Sequence, residues 1–464
     1  MASATKQIDA EEAAKRRRAF ERRRPHGPRS KKPGDQLVPM SRDPLGYMVK
    51  IAAEYPDMAY FRLGNQRTFL MTNPEYIHDV LVANDWNFLK GRGLKRAKKI
   101  LGNGLLTAEG NFHRRQRRLS QPAFHKQRIA AYAATMSEFA ARTRDTWKAG
   151  EKRDIAQDMM RLTLAIVAKT LFDADVDNEA REIGQALGEV LEIFSTFSSP
   201  LTEITDKLPL PKNIRAQKGK ERLDETIYRI IAEHRKTNED RGDLLSMLLM
   251  AQDEEEGSGG MSDDQLRDEV MTLFLAGHET TANALTWTWY LLSQNPDVES
   301  KLHAEIDTVL GGRLPTFEDV PNLKYIEMIM TEAMRLYPPV WVMGRRSISG
   351  IKIGGYYIPP KSIILLSQYA IHHDKRFYPE PEKFNPERWT SEQAKSLPKM
   401  AYFPFGGGPR LCIGEQFAWM EGILLIAAIA QKWKLRLVPG HKVELQPLIT
   451  LRPKHGMKMT LEPR

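Results

Sequence analysis

The order of hydrophobic and polar residues changes its period along the chain. Residues 60–63 and 68–71 are short alternating segments separated by the polar turn at Gly64 and Asn65, a pattern that predicts a β-hairpin. Further extended segments are expected near 351–368 and 434–462. Elsewhere apolar residues recur with helical spacing, which predicts helices over about 112–150, 155–193, 217–236, 262–294, 296–310, 322–336 and 413–431. The pattern therefore indicates a mainly α fold with a minor β part.

Composition narrows the class of protein. The chain has 464 residues and one cysteine, so no intramolecular disulfide can form, and this fits a reducing compartment. The longest apolar stretch, 422–430, is far shorter than the roughly 18 residues that would span a bilayer, and no secretory signal opens the chain. We therefore expect a soluble, cytoplasmic protein without a transmembrane segment.

Positive charge is concentrated at the start of the chain. Residues 1–32 contain eleven Lys or Arg against four Asp or Glu, while the whole chain has a net charge of +10. This composition predicts a disordered basic tail over 1–35, followed by one folded domain over 36–464. Weak contact of the tail with an anionic membrane surface stays open as an alternative, whereas no sequence motif supports a specific nucleic-acid partner. The acidic, glycine-rich patch 253–260 is predicted to be a surface loop.

The single cysteine, Cys412, lies in a glycine-rich loop that leads into an apolar helix. Backbone N–H groups of such a turn, the cation of Arg410 and the positive end of the helix can all stabilise a thiolate. One thiolate cannot build a structural zinc site or an iron–sulfur cluster, but it suffices as the axial ligand of a haem. A buried free cysteine is the alternative interpretation.

This loop resembles the haem-thiolate loop of the cytochrome P450 family. Every fixed position of the pattern F-x-x-G-x-R-x-C-x-G is filled, by Phe405, Gly408, Arg410, Cys412 and Gly414. The resemblance implies a cytochrome P450 fold, with 36–464 as a single haem-enclosing catalytic domain. It also implies a haem b whose iron is ligated by Cys412.

A second motif resembles the helix of that family on which oxygen is activated. The stretch A-G-H-E-T-T, which contains Gly277, Glu279 and Thr280, fits the pattern A-G-x-[DE]-T-T, and Ser262 with Gln265 predicts a capping box where the helix begins. The resemblance implies a helix that opens near Gly277 and relays two protons through Glu279 and Thr280. The alternatives are a Thr280 hydroxyl bonded to an upstream carbonyl and a solvated Glu279.

The resemblance also implies a structural ion-pair network. Glu332 and Arg335 stand three residues apart on one predicted helix face, where a surface pair would contribute only about 0.2–0.5 kcal/mol. Downstream, the sequence P-E-R-W resembles the family's P-E-R-F segment. Its Arg388 is implied to complete a buried network that holds the cysteine loop.

Cations for the haem propionates are implied at four places. His113 and Arg117 match the family's W-x-x-x-R pattern, with His in the place of Trp. Arg345 and Arg410 would complete the set. The choice between Arg345 and its neighbour Arg346 is an alignment judgement that the sequence leaves open.

The helix with His113 also suggests where an electron donor docks. Arg114, Arg115 and Arg118 occupy its other faces and are predicted to form either a basic patch for an acidic donor or an ordinary solvated face. No flavin or nicotinamide fingerprint stands between a strand and a helix. We therefore expect electrons from a separate ferredoxin or flavodoxin and its reductase, so that NAD(P)H acts only indirectly.

The segments that correspond to the family's substrate-recognition regions are apolar. They lie at 88–106, 191–210, 272–276, 339–342 and Ile449. We expect a monooxygenase that inserts one atom of O₂ into an apolar lipid, terpenoid or steroid-like molecule. A haem-thiolate isomerase or peroxygenase and a non-catalytic haem-binding protein are the alternatives.

Overall fold

In the computed structural model the described residues are 24–30, 32, 34–173, 184, 186, 188–189, 208–237, 239–251 and 260–464. Three predicted features lie mainly outside the described residues. They are the basic tail predicted over 1–35, of which residues 1–23 are not described, the acidic patch 253–260 and the substrate segment 191–210. Within the described residues, none of the helices combines the length and the apolar character that crossing a membrane requires.

Helices make up most of the described chain. They are α1 Leu37–Arg42, α2 Pro44–Glu54, α3 Pro74–His78, α4 Arg92–Leu101, α5 Gly110–Ser120, α6 Lys126–Asp145, α7 Ile155–Phe172, α8 Pro211–Thr237, α9 Leu244–Met250, α10 Asp263–Gln294, α11 Pro296–Leu310, α12 Lys324–Leu336, α13 Gln368–His372, α14 Ser391–Ser396 and α15 Glu415–Ala430. Short 3₁₀ or π turns cover Asp79–Ala83, Asp85–Asn87, Gln121–Phe124, Phe317–Asn322, Pro386–Trp389 and Gly408–Arg410.

The strands are short. They are β1 Met58–Leu63, β2 Gln66–Met71, β3 Phe88–Lys90, β4 Lys152–Asp154, β5 Met343–Ser347, β6 Ile351–Ile353, β7 Tyr356–Ile358, β8 Ile363–Leu366, β9 Trp433–Leu437, β10 Leu445–Pro447, β11 Leu451–Pro453 and β12 Lys458–Pro463. The prediction of a mainly α fold with a minor β part is confirmed.

The elements with the clearest pattern form where they were predicted. β1 and β2 pair antiparallel, with Tyr60 opposite Phe69, as the alternation indicated. The capping box of α10 is present, since the Gln265 N–H donates to the Ser262 hydroxyl at 3.2 Å and the Ser262 N–H donates to the Gln265 side chain at 3.0 Å.

Two predicted helices differ from the structure. The helix predicted over 112–150 is two helices, α5 and α6, because a 3₁₀ turn that contains Pro122 separates them. The helix predicted over 155–193 ends as α7 at Phe172, where Asp173 adopts a left-handed conformation with φ 42°.

The described chain forms two compact units. The first comprises the described residues of Met1–Gly93, Val342–Pro379 and Pro398–Leu411, and the second comprises those of Leu94–Trp341, Glu380–Leu397 and Cys412–Arg464.

The first unit is built around a five-stranded sheet with the order β1-β2-β8-β5-β3. β2 and β8 are parallel, and the other neighbours are antiparallel. Buried apolar side chains cover the sheet, among them Phe69, Ile364 and Leu366, which have almost no exposed surface. This core supports β5 and the loop that precedes Cys412.

The second unit is a helical assembly with α10 at its centre. Phe274 of α10 stacks on Phe172 of α7 with ring centroids 4.3 Å apart. The buried Trp287 of α10 donates its indole N–H to the Leu451 carbonyl at 3.0 Å, which ties the helix to β11. A three-stranded sheet, β4-β12-β9, and the β10–β11 hairpin complete the unit.

Candidate functional site

The loop before Cys412 depends on glycines in the left-handed region. Gly406 has φ 80° and Gly408 has φ 67°. A Cβ at Gly408 would lie 2.0 Å from the Leu81 carbonyl oxygen, so the backbone leaves no room for any other residue. The turn then closes with a hydrogen bond from the Leu411 N–H to the Gly408 carbonyl at 3.0 Å.

Cys412 is accessible although protein surrounds it closely. Burial is the main cause that raises the pKa of its thiol, and the Glu415 carboxylate raises it further. The Gly414 N–H and the Arg117 guanidinium lower the pKa, but they do not outweigh burial. The polypeptide therefore favours a neutral thiol, and the positive charge of a metal would be needed to hold the thiolate.

These surroundings fit an axial haem ligand. The sulfur is accessible, a backbone N–H and a cation face it, and haem iron in this class takes a single protein thiolate. Cys412 could therefore hold a haem iron.

Helix α5 presents His113 and Arg117 one turn apart. His113 is buried, and the Arg117 Nε donates to Gln121 Oε1 at 3.1 Å. Burial lowers the pKa of Arg117, and the nearby Cys412 sulfur partly offsets this effect. The prediction that Arg115 belongs to a basic patch or a solvated face is wrong, because its side chain is buried.

Three predicted cofactor residues lie in the first unit. Arg345 is buried in β5 and donates from Nη1 to the Gly344 carbonyl at 3.1 Å, whereas Arg346 is only half-buried. The alternation of β5 directs these two arginine side chains to opposite faces of the sheet. Phe405 and Arg410 are both half-buried.

Glu279 is held in a polar cluster inside the second unit. Its side chain is 2% exposed, so the interpretation as a solvated surface charge is wrong. Its Oε1 accepts from Arg452 Nε at 2.7 Å, from Arg452 Nη2 at 2.5 Å and from the Thr450 hydroxyl. Asn283 Nδ2 donates in turn to Thr450 Oγ1 at 3.2 Å. Arg452 is 24% exposed and forms the solvent edge of the cluster.

Thr280 donates its hydroxyl to the Ala276 carbonyl at 2.7 Å, and Thr281 donates to the Gly277 carbonyl at 3.3 Å. The expectation that α10 opens near Gly277 is wrong, since α10 is continuous. A Cβ at Gly277 would lie 3.0 Å from Val167 Cγ2, so glycine here allows close packing against α7.

His278 lies on the same turn of α10. It is buried, and its Nδ1 lies 2.8 Å from the Phe274 carbonyl oxygen. Burial lowers the pKa of the imidazole, so His278 is neutral near pH 7.

Glu332, Arg335 and Arg388 meet in one buried network. Arg335 donates to Glu332 from Nε at 2.7 Å and from Nη2 at 2.8 Å, and both side chains are fully buried. Arg388 Nε donates to Glu332 Oε1 at 3.3 Å. Trp389 Nε1 adds a donor at 2.9 Å, and the Asn385 N–H adds another at 3.1 Å. The acid therefore receives hydrogen bonds from both cations.

Sequence reasoning missed Thr450, Arg452 and Trp389 as members of these clusters. Trp389 follows Arg388 directly. Thr450 follows Ile449, which corresponds to one of the family's substrate-recognition regions. Proximity in sequence to a predicted site residue was the available signal for both. Arg452 carried no such signal, because its partner Glu279 lies far away in the chain.

Comparison with known proteins gives one consistent family. A family model described as Cytochrome P450 matches residues 36–460. Cyclooctatin synthase of Streptomyces melanosporofaciens is 42% identical over 427 residues, which are 92% of each chain. Cyclooctat-9-en-7-ol 5-monooxygenase of the same organism is 40% identical over 403 residues, which are 86% of each chain. Pentalenene oxygenase of Streptomyces avermitilis is 34% identical over 428 residues, which are 92% of this chain and 94% of that relative.

The match covers nearly the whole chain, and the family brings with it a haem cofactor, O₂, a substrate and a redox partner. Monooxygenase chemistry on an apolar small molecule agrees with the names of these relatives, and it argues against the isomerase, peroxygenase and non-catalytic alternatives. The chain belongs to the cytochrome P450 family and is a haem-dependent monooxygenase.

Proposed function

We propose that Cys412 is the axial thiolate ligand of haem b in an enzyme that hydroxylates a ring-containing terpenoid. The single observation that carries the ligand assignment is the accessible Cys412 sulfur within a dense protein surround, faced by the Gly414 N–H and the Arg117 guanidinium. The substrate class is supported by relatives named for cyclooctatin, cyclooctat-9-en-7-ol and pentalenene.

The reaction is RH + O₂ + two electrons + two protons giving ROH and water. A bound haem supplies O₂ binding and O–O cleavage, and the thiolate increases electron density at the iron. The task of the polypeptide is to hold the cofactor and the substrate, to limit access of water and to supply protons.

Glu279 is suited to the supply of protons. All of its hydrogen bonds within the described residues go to Oε1, which leaves Oε2 for proton exchange. The half-exposed edge at Arg452 gives the acid a connection to solvent. Thr280 uses its hydroxyl hydrogen on the Ala276 carbonyl, so its oxygen lone pairs are available to accept a hydrogen bond and to orient the species that is protonated.

The remaining site residues have binding and supporting roles in this proposal. His113, Arg117 and Arg410 are assigned to the propionates, which are anions that hydrogen-bond donors and guanidinium groups stabilise. On the strand β5, Arg345 is buried and Arg346 is half-buried, and this difference supports Arg345 as the propionate partner. Glu332, Arg335 and Arg388 hold the chain segment 380–397.

Electrons come from a separate ferredoxin or flavodoxin, which an NAD(P)H-dependent reductase reduces. The absence of a dinucleotide fingerprint from the sequence supports this part of the proposal. The single cysteine supports a reducing, cytoplasmic location.

The proposal is tested by turnover with defined probes. The holoprotein is combined with a ferredoxin, its reductase and NADPH, and pentalenene and cyclooctat-9-en-7-ol are supplied as substrates. We expect a product that has gained one oxygen atom from isotopically labelled O₂, at a rate that depends on NADPH. Product formation without an electron donor, or without incorporation of labelled oxygen, would support a peroxygenase or an isomerase instead.

A further inference from the structure

Glu421 is a buried acid that the mechanism above does not use. It lies in the middle of α15, directly before the apolar run 422–430, and its side chain has no exposed surface. Within the described part of the chain, no donor reaches either of its carboxyl oxygens with good hydrogen-bond geometry, and the Thr281 hydroxyl, which lies beside the carboxyl, is directed to the Gly277 carbonyl. An acid in such a place is unusual, because buried polar groups are nearly always paired.

The surroundings of Glu421 favour its neutral form. Burial raises the pKa of this carboxyl to about 8, and the hydroxyl of Thr281 offsets part of the effect. No charged side chain contributes to the shift among the described residues. At pH 7 the protonated form therefore dominates by about ten to one.

Packing alone does not explain an acid at this position. The adjacent Gly422 lies against Met330, since a Cβ there would come within 2.3 Å of the Met330 sulfur. An apolar side chain at 421 would fill the same kind of space without an unpaired oxygen. What the carboxyl adds is a transferable proton deep inside the second unit.

The carboxyl of Glu421 lies beside the helix turn that carries the proposed proton-delivery residues Glu279 and Thr280. Thr281, which lies beside Glu421, follows Thr280 and Glu279 directly in α10. Its own hydroxyl hydrogen points to the Gly277 carbonyl over a long 3.3 Å, so its oxygen can accept from a carboxylic acid.

We propose that Glu421 is a second, internal proton store for oxygen reduction and that it acts through the Thr281 hydroxyl. This inference rests on the proposed function, which requires two protons for each turnover. In the transfer, the Glu421 O–H bond breaks and a bond forms between that proton and Thr281 Oγ1. The Thr281 hydroxyl gives its original proton to the oxygen atom that is being reduced to water, and Glu421 becomes a carboxylate. The reverse path restores its proton from solvent between turnovers, and no electron is transferred at either residue. Glu421 thus acts through Thr281 and not directly on the oxygen, whereas Glu279 supplies the other proton from the solvent side.

The first test observes the proton itself. Infrared difference spectra of the holoprotein at pH 7 and pH 9 should contain the carbonyl stretch of a protonated carboxylic acid, which is lost at the higher pH. Glu421→Gln should remove this band, and the control Glu305→Gln, at a half-buried acid whose pKa is also raised, should leave it. A band that persists in Glu421→Gln would overturn the proposal.

The second test measures how efficiently electrons are used. In Glu421→Gln we expect product per NADPH to fall by about tenfold and hydrogen peroxide to rise, because oxygen that is not protonated in time leaves as peroxide before it can be inserted. Thr281→Val should have the same effect, and the double variant should be no worse than either single variant. Glu421→Asp, which keeps the acid, should recover part of the coupling.

Two controls separate this proposal from the proposed function. The reduced, carbon monoxide-bound spectrum and the substrate-induced spin shift should be unchanged in Glu421→Gln, because neither depends on the proton store. If the wild-type protein binds no haem, the proposed function fails while the infrared test on the apoprotein still applies. If Glu421→Gln and Glu421→Leu both use electrons as efficiently as the wild-type protein, Glu421 has only a structural role and the inference is wrong.

Discussion

Two fully buried acids of the second unit have opposite surroundings. Glu332 on α12 accepts from two guanidinium groups, an indole and a backbone N–H. Glu421 on α15 accepts from no donor among the described residues, and the Thr281 hydroxyl beside it is directed to a carbonyl. A buried glutamate can therefore be either an ion-pair partner, as at Glu332, or an unpaired acid, as at Glu421, and the number of donors around it decides which.

The difference has a simple electrostatic origin. A buried carboxylate is stable only when cations and donors replace the water it has lost, and Glu332 has these partners. Without them, the acid keeps its proton and becomes a neutral group, as burial dictates for Glu421. Glu279 has fewer donors than Glu332, because one cation and one hydroxyl bind a single carboxylate oxygen. Ion pairing at Glu332 thus stabilises the fold, whereas the lack of such pairing at Glu421 leaves the acid with a proton that it can transfer.

The largest effect is expected for Glu332→Ala. The substitution removes the Glu332 carboxylate from the fully buried Arg335 and from Arg388. Loss of one partner from a buried pair costs about 3–5 kcal/mol, a large part of the stability of a typical domain. We expect little folded protein and a haem-to-protein ratio near zero after purification. Recovery of holoprotein with the wild-type unfolding midpoint in denaturant would show that the network is dispensable.

Arg452→Gln should have a smaller effect. The change removes the cation from Glu279 and leaves the Thr450 hydroxyl as a donor, at a cost of roughly 1–3 kcal/mol. Product per NADPH should also fall, because the acid loses its fixed orientation. Urea unfolding and coupled turnover measure the two effects, and Arg452→Lys, which keeps a cation, should be closer to wild type. Equal stability of all three proteins would contradict the role of Arg452.

Glu421→Leu is expected to stabilise the protein, and by an amount that depends on pH. Folding raises the pKa of Glu421 from 4.5 to about 8, so the folded state binds the proton more tightly than the unfolded state. The stability of the wild-type protein is therefore highest below about pH 4.5 with respect to this group, and it falls as the pH rises towards 8. The gain in the Leu variant should grow over the same range and reach roughly 1–3 kcal/mol at pH 7. Unfolding midpoints at pH 5, 6, 7 and 8 provide the check, and a gain that does not vary with pH would contradict a neutral buried acid.

Glu233→Gln should have the smallest effect and serves as the reference for the other acids. Glu233 pairs with Arg229 at 3.4 Å on α8, and both side chains are about half exposed. Such a pair contributes at most about 0.5 kcal/mol. Stability and haem content should equal those of the wild-type protein, and any larger loss would mean that removal of a carboxylate is harmful irrespective of burial.

Much of the fold could be predicted because local signals agree with it. The Ser262–Gln265 capping box and the alternation of β1 and β2 depend only on nearby residues. The prediction of one helix over 112–150 is wrong at Pro122, where the chain breaks into two helices. Helical spacing of apolar residues continues across this break and therefore does not reveal it.

The site could be predicted less completely, because its contacts are distant in sequence. Of the two partners of Glu279, Arg452 lies on the strand β11 and Thr450 lies directly before it, and no local pattern links them to α10. Helical spacing placed Glu421 in a helix but could not indicate whether donors surround it. That property depends on the packing of α15 against other helices, which appears only in three dimensions.

The central claim, that the Cys412 sulfur ligates the haem iron, is tested most directly by the absorbance of the reduced, carbon monoxide-bound protein. The wild-type protein should show the strongly red-shifted Soret band that a thiolate ligand produces. Cys412→Ser should bind less haem and lose this band, while Ser293→Ala, at a partly buried hydroxyl of α10 that bonds only its own helix, should keep it. A red-shifted band that survives in Cys412→Ser, or its absence from the wild-type holoprotein, would contradict the account.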